Sequence, residues 1–545
     1  MSEKITITLP DNTTLSATKG QTLQQICPIE NALVATVDNQ LSDLTRQLLY
    51  DANVQFLDYN DPNGLRTYQR GVSFMLVYAV KAILGKKAQV TIAHSINKNY
   101  YCELPDLKSP ITPRLLQEIE DHMYQTAAKG LPIEKITTPR ETAIKIMEDL
   151  GFEDKVRLLK YRHNHTVSLY KLNWVHSYFF GEMPPSTALL DRFKLSICGN
   201  GFVLQFPDAR GQLKPLPENT RLKEVFTESK QWARIVKADT VAALNDQLCQ
   251  NGSEKLIRVV EALHEKKIAG LADDIAANNK SIVLIAGPTS SGKTSLAHRL
   301  GVQLRVNGLI PHIISLDNYY LDRELCPKDE FGNYDFETIK AIDTDLINQH
   351  LQALLNGEAV EIPTFNFLTG KREYKGNVLK FESRDVIVME GIHGLNEITS
   401  AGVDAKDKYK IFISALTQIN IDDHNRIPTS DTRLLRRIVR DFRTRGATAA
   451  NTISMWPSVQ RGENKYIFPF QNAADAFYNS ALVFEMGILK QYAEPVLFDI
   501  TPDQPEYTEA RRLIRFLASF LAVPSETLPH NSILREFVGG SCFYH

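Results

Sequence analysis

The chain has 545 residues, 43% of them hydrophobic, and its 62 Lys and Arg against 64 Asp and Glu give a formal net charge of -2. At roughly 150 residues per domain the length makes room for about three to four domains, and the ordinary composition excludes bulk disorder, collagen and coiled-coil rods. Near-neutrality leaves no whole-chain basic footprint, so RNA binding by the N-terminal half, open to a local patch, has no support from net charge.

The N-terminus lacks the apolar core of a signal peptide, and no apolar run approaches the roughly 18 residues of a spanning helix. The six cysteines are scattered without a CxxC pair. Together these features predict a cytoplasmic protein with no membrane partner, disulfide framework or cysteine-bound metal.

In chain order, residues 3–9 alternate with Ile5, Ile7 and Leu9 on one face, and Pro10-Asp11-Asn12 turns the chain into a returning strand over 13–17. A short helix at 23–26 and strands at 34–37 and 54–57 complete a small α+β module. The cluster Asp58-Tyr59-Asn60-Asp61-Pro62-Asn63-Gly64 reads as a turn-rich boundary. A second mixed block follows, with an apolar helix at 74–84, strands at 89–93 and 100–104, and helices at 112–128 and 139–150. Thr112-Pro113 supplies the N-cap and first-turn signal of the first of those helices. Residues 237–279 read as a helical connector. From Ser281 onward, β-rich runs at 281–286, 312–316, 385–389 and 409–414 alternate with helical stretches, which predicts a parallel sheet covered on both faces.

Gly287-Pro288-Thr289-Ser290-Ser291-Gly292-Lys293-Thr294 is a complete GxxxxGK[ST] between a strand and a helix. Its backbone N–H groups would curl around the phosphates of ATP, with Ser295 in the first helical turn. Lys293 would neutralise the β- and γ-phosphates, and the Thr294 hydroxyl would face Mg²⁺. The strand ending in Glu390 brings a second candidate metal ligand to the carboxyl edge of the sheet. Asp317 ends the strand after the loop helix, placed to orient an acceptor hydroxyl and take its proton late. Residues 431–445 hold six arginines against two aspartates. Leu434, Leu435, Ile438, Val439 and Phe442 form an apolar stripe, and the arginines read as a lid on transferred phosphate.

With these motifs in place, residues 281–500 resemble the uridine kinase/phosphoribulokinase family of P-loop kinases. The resemblance joins the GKT loop, Leu316-Asp317-Asn318-Tyr319-Tyr320, Asn333-Tyr334-Asp335-Phe336, Ile362-Pro363-Thr364-Phe365-Asn366-Phe367, the Glu390 strand and the arginine helix. It implies that Asp317 is the catalytic base. It places Tyr320, Asp335, Phe365, Phe367 and Arg433 around a nucleoside, and Arg436, Arg440 and Arg445 near the ATP phosphates. The family's usual base-reading His is Gly370 here, followed by Lys371 and by Arg372, a candidate substrate contact; a lid arginine is Ala447.

Residues 1–62 resemble the ubiquitin-like TGS domain of threonyl-tRNA synthetase, opening on Ile5-Thr6 and Leu9-Pro10-Asp11. Residues 63–235 resemble its editing domain, through Tyr100-Tyr101, Val167-Ser168-Leu169-Tyr170 and Phe193-Lys194-Leu195. Where that family carries metal ligands this chain has Arg70, Phe74, Phe179 and Met183, so neither metal nor deacylation is expected, and His94, His163, His165 and His176 fit no ligand spacing. The expected order is TGS-like domain (1–62), editing-like domain (63–235), helical connector (236–280), P-loop kinase (281–500) and C-terminal helix and tail (501–545). The expected activity is ATP- and Mg²⁺-dependent phosphorylation of a nucleoside, uridine or cytidine. A kinase of another hydroxyl metabolite and a tRNA- or ribosome-associated regulatory NTPase are the alternatives.

Overall fold

The computed structural model describes residues 3–543 apart from 97, 163, 209, 216–219, 329–331, 333 and 418, together with the side chains of 220–224. His163 and Asn333 therefore lie outside the described residues. Among the described residues no helix is long and apolar enough to cross a membrane.

The N-terminal module is a five-stranded sheet in the order Thr14–Thr18, Lys4–Thr8, Ala52–Leu57, Val34–Val37, Gln40–Ser42, with Lys4–Thr8 parallel to Ala52–Leu57. Ile5, Ile7, Val37 and Val54 fill its core. The next helix begins earlier than the sequence suggests, at Pro62, and runs to Leu84. Asp61 caps it by accepting from the N–H groups of Asn63 and Gly64, with Pro62 at its first position. The turn-rich cluster thus ends in a helix start. That helix packs beneath a four-stranded antiparallel sheet (Thr91–Ile96, Asn99–Glu103, Lys194–Cys198, Gly201–Gln205) and a three-stranded one built on Ile133–Pro139 and Thr166–Leu172.

The C-terminal sheet has five strands, all parallel, in the order Ile310–Ser315, Asp385–Glu390, Ile282–Ala286, Lys408–Ser414, Ala476–Asn479. Its strands are apolar on both faces because both are covered. Val283 and Ile285 pack with Leu296 and Leu300 of the helix Lys293–Val306, whereas Ile282 and Leu284 meet Ile347 and Leu351 of the helix Thr344–Leu355. The segments read as connector and tail enter the first of these cores through Ile257, Ile268, Phe516, Ile533 and Phe537.

The loop after the fourth strand joins the two halves. Asn420 donates to the Ile92 carbonyl (2.8 Å), Ile92 N–H to the Asp423 carbonyl (2.7 Å), and Phe180 N–H to Asn425 Oδ1 (2.8 Å). Beneath them Lys155 and Asp422, both fully buried, form an ion pair at 2.6 Å.

Candidate active site

The strand Ile282–Ala286 delivers the chain to Gly287, where a Cβ would lie 2.0 Å from the Ile413 carbonyl oxygen, so only glycine fits. Ser290 (φ +58°) and Gly292 (φ +88°) then adopt left-handed backbone, curling Pro288 to Gly292 over the start of the helix Lys293–Val306. No side chain caps that helix. Its first N–H groups and the buried, unpartnered hydroxyls of Ser290 and Ser291 face the loop, a donor set that fits phosphate oxygens. Lys293 Nζ folds back to the Pro288 carbonyl at 3.3 Å.

Two carboxylates converge on this loop. Glu390 closes its strand in register with Ile285 and Ser315, and accepts from the Thr294 hydroxyl at 3.2 Å. Burial, and then the neighbouring charge of Asp317, pushes its carboxyl up to about 7. Asp317 sits in the turn Leu316–Tyr319, its N–H held by Ser315 Oγ at 3.3 Å. Burial raises its carboxyl too, against the pull of Lys293, Arg445 and Arg440. A buried acid beside a threonine hydroxyl, its carboxyl still raised despite the nearby Lys293, is the chemistry of a divalent-cation site, so Thr294 and Glu390 fit Mg²⁺.

A third acid, Glu337, is pushed up to about 7 by burial and by Glu463. A folded-state value above the ordinary 4.5 means that the native protein binds this proton more tightly than the unfolded chain. The associated stability is present below about pH 4.5 and is lost as pH rises through 7. Glu337→Gln should therefore raise stability at pH 8 by on the order of 2–3 kcal/mol and leave it unchanged near pH 4. Denaturant melts at the two pH values measure this, and equal melts at pH 8 would refute it.

Beside Asp317, Tyr320 donates to the Phe336 carbonyl (2.9 Å) and packs on Phe365 (5.6 Å between ring centroids), which meets Phe367 edge-on at 5.1 Å. Asp335 accepts from the Tyr466 hydroxyl (3.1 Å) and from Glu337 N–H (3.2 Å). Gly370, the turn of the hairpin carrying Phe365, has φ +70° and lies against Arg323. Arg437, Arg440 and Arg445 gather on Asp441, Arg440 at 2.8 Å and the half-exposed Arg445 at 3.6 Å.

Three arginines do other work than the sequence suggests. Arg436 is completely buried, bound to Glu485 (2.5 Å), to Ser480 and to the Ser290 carbonyl. It braces the loop from behind, with no donor left for phosphate. Arg433 pairs with buried Glu463 (2.5 Å) and donates to the Thr289 carbonyl, while Glu463 also accepts from Thr289 N–H at 3.1 Å. This pair clamps the loop entrance. Arg372 is tied to Asp343 (3.0 Å) and to the carbonyls of Tyr319 and Tyr320, fixing the hairpin. Phe442, placed in the apolar stripe, is 55% exposed.

Sequence reasoning passed over Glu463, Glu485, Tyr466 and Glu536, because each acts through a distant partner and none belongs to a spaced motif. Glu536 accepts from the Ser295 hydroxyl at 2.7 Å, bringing the C-terminal segment against the first turn of the loop helix. Arg443 fastens that segment through the Phe537 (3.0 Å) and Glu536 (2.9 Å) carbonyls.

In the N-terminal half, Phe74, Phe179 and Met183 are core residues, with the two rings 5.0 Å apart. Arg70 presses on Gly181 and donates to the Glu182 carbonyl. His94 lies stacked between Tyr101 and Phe226.

Comparison with known proteins accords with both halves. A uridine kinase of Halalkalibacterium halodurans is 30% identical over 195 residues, spanning 36% of this chain and 83% of that protein. A threonine–tRNA ligase of Methylococcus capsulatus is 32% identical over 196 residues, covering 35% of this chain but only 30% of the ligase. The match to the ligase lies in the N-terminal region. The phosphoribulokinase/uridine kinase family model matches residues 282–483, the stretch that holds the loop, Asp317, Glu390 and the arginine helix. The chain belongs to the phosphoribulokinase/uridine kinase family, as a P-loop kinase of a hydroxyl substrate.

Proposed function

We propose that the chain is an ATP- and Mg²⁺-dependent nucleoside kinase that phosphorylates the 5′-hydroxyl of uridine or cytidine. The observation that carries this reading is the meeting of Lys293, Thr294, Glu390 and Asp317 at one edge of the sheet, beside the aromatic surface of Tyr320, Phe365 and Phe367. The loop N–H groups and Lys293 hold the polyphosphate. Thr294 and Glu390 would hold Mg²⁺, which when bound would supply charge neutralisation at the phosphate oxygens. Asp317 orients the nucleoside hydroxyl and accepts its proton as the new O–P bond forms. The bond from the γ-phosphorus to the bridging oxygen breaks and ADP leaves. Arg440 and Arg445 lie close enough for their charge to act on Asp317, and so on the equatorial oxygens during transfer. Asp335 offers a carboxylate to a ribose hydroxyl.

The test is ATP turnover by the full chain against uridine, cytidine, purine nucleosides and sugar alcohols. Uridine or cytidine should exceed every other acceptor by at least about tenfold in kcat/KM, a margin of ~1.4 kcal/mol in transition-state binding. Preference for a purine nucleoside or a sugar alcohol would overturn the pyrimidine assignment while leaving the kinase chemistry in place.

A further inference from the structure

A cleft of about 720 Å³ lies between the two halves of the chain, lined on one side by Tyr59, His94 and Phe206 and on the other by Phe412, Arg426 and Phe477. None of Lys293, Thr294, Asp317 or Glu390 borders it. Its volume falls in the range of small-molecule sites, and its walls combine aromatic faces with a few polar groups.

The polar groups are incompletely used. His94 is fixed by stacking on Phe226 (3.7 Å between centroids) and Tyr101 (4.8 Å), yet its Nε2 is buried without a hydrogen-bond partner. Arg426 lies over the Tyr100 ring at 5.2 Å and spends Nη1 on the Ile427 carbonyl, while its buried Nε has no partner. Among the described residues no carboxylate pairs with Arg426. Asp208, the nearby acid in the cleft wall, is already matched by Lys214 at 3.0 Å. An unpaired guanidinium in an aromatic cleft attracts an anion that carries a planar ring.

Arg433 and Glu463 also line the cleft, and this ion pair grips Thr289 of the GKT loop through both its N–H and its carbonyl. A ligand seated against the pair is therefore one residue from the donor-binding loop.

We propose that this cleft is a second binding site, for a nucleoside monophosphate, with the base between the aromatic walls and the phosphate on Arg426. Occupancy is passed to the loop through Arg433 and Glu463. Only this coupling rests on the kinase reading; binding itself does not.

Calorimetric titration of the full chain with uridine, cytidine and adenosine 5′-monophosphates, in the presence of saturating non-hydrolysable ATP analogue, is the test. At least one should bind with a Kd below about 1 mM. Arg426→Gln should weaken it at least tenfold, and Phe365→Ala, in the acceptor region, should change it less than twofold. His94→Gln gives a second, independent loss. Absence of binding by all three overturns the site, and so does the opposite pattern, in which Phe365→Ala abolishes binding and Arg426→Gln does not. Where binding holds, saturating monophosphate should shift the KM for ATP at least threefold in the wild type and not in Arg426→Gln; an unmoved KM overturns the coupling. A chain that phosphorylates no nucleoside yet binds the monophosphate in this pattern would sink the proposed function and keep the site.

Discussion

If Asp317 is the general base proposed above, Asp317→Asn should lower turnover by roughly a hundred- to ten-thousandfold while ATP binding survives. The substitution is isosteric, and the backbone that places it is fixed independently by Ser315 and by the turn Leu316–Tyr319. Position is therefore kept and only the carboxylate is lost. A further consequence follows from electrostatics. Asp317 is the largest nearby charge raising Glu390, so its removal lets the Glu390 carboxyl fall back toward its ordinary range. For Mg²⁺, easier ionisation of Glu390 is opposed by loss of the Asp317 charge, while the loop N–H groups and Lys293 are untouched, so the affinity for ATP with Mg²⁺ should change little. Rapid-quench measurement of the chemical step, beside a titration with ATP and Mg²⁺, separates the two effects. Unchanged turnover would remove Asp317 from the role of base. Loss of ATP binding would instead make it part of the donor site.

Much of this site was legible because P-loop chemistry is local. Eight consecutive residues create the loop, and a strand ending in an acid needs only its own apolar run to be seen. The parallel sheet followed for the same reason, since strands covered on both faces read as unbroken apolar stretches. The arginines were harder. A spacing of six arginines on one helix says nothing about which will meet an acid, and Glu463 and Glu485 lie 30 and 49 residues beyond their partners. Burying Arg433 and Arg436 requires those acids, because an unpaired guanidinium in the core is prohibitively costly. Only tertiary structure reveals that two of the supposed lid groups are braces. The start of the helix Pro62–Leu84 was hidden differently. Asp, Pro, Asn and Gly serve both turns and N-caps, and here the Asp61 carboxylate accepts from Asn63 and Gly64 N–H and makes the cluster a cap. Glu536 carried no signal at all, as a lone acid more than 240 residues from the serine that it touches.

Asp422→Asn should destabilise the protein by less than the roughly 3–5 kcal/mol that a fully unmatched buried ion costs, because Asp154 and Asp423 also act on Lys155. Lys155 would retain the Tyr178 carbonyl at 3.1 Å, the amide oxygen of the new asparagine and the neighbouring acids Asp154 and Asp423. Asparagine keeps an acceptor for the N–H groups of His424 (2.9 Å) and Asn425 (3.0 Å), so the turn itself is spared and the loss reports on the charge. The pair ties the kinase loop to the N-terminal half, and the hydrogen bonds around it are mostly between neutral groups, each contributing about 1 kcal/mol. Calorimetric melting should show the transition moving down and broadening toward two steps as the halves uncouple. In a double-mutant cycle of Asp422→Asn with Lys155→Met the coupling energy should reach about 1–3 kcal/mol, the part of the Lys155 charge that acts through Asp422 and not through its other acidic neighbours, Asp154 and Asp423. Strict additivity of the two substitutions would mean that the pair contributes little. The neutral hydrogen bonds of the joint, from Asn420 to Ile92 and from Phe180 to Asn425, would then have to carry the attachment between the halves.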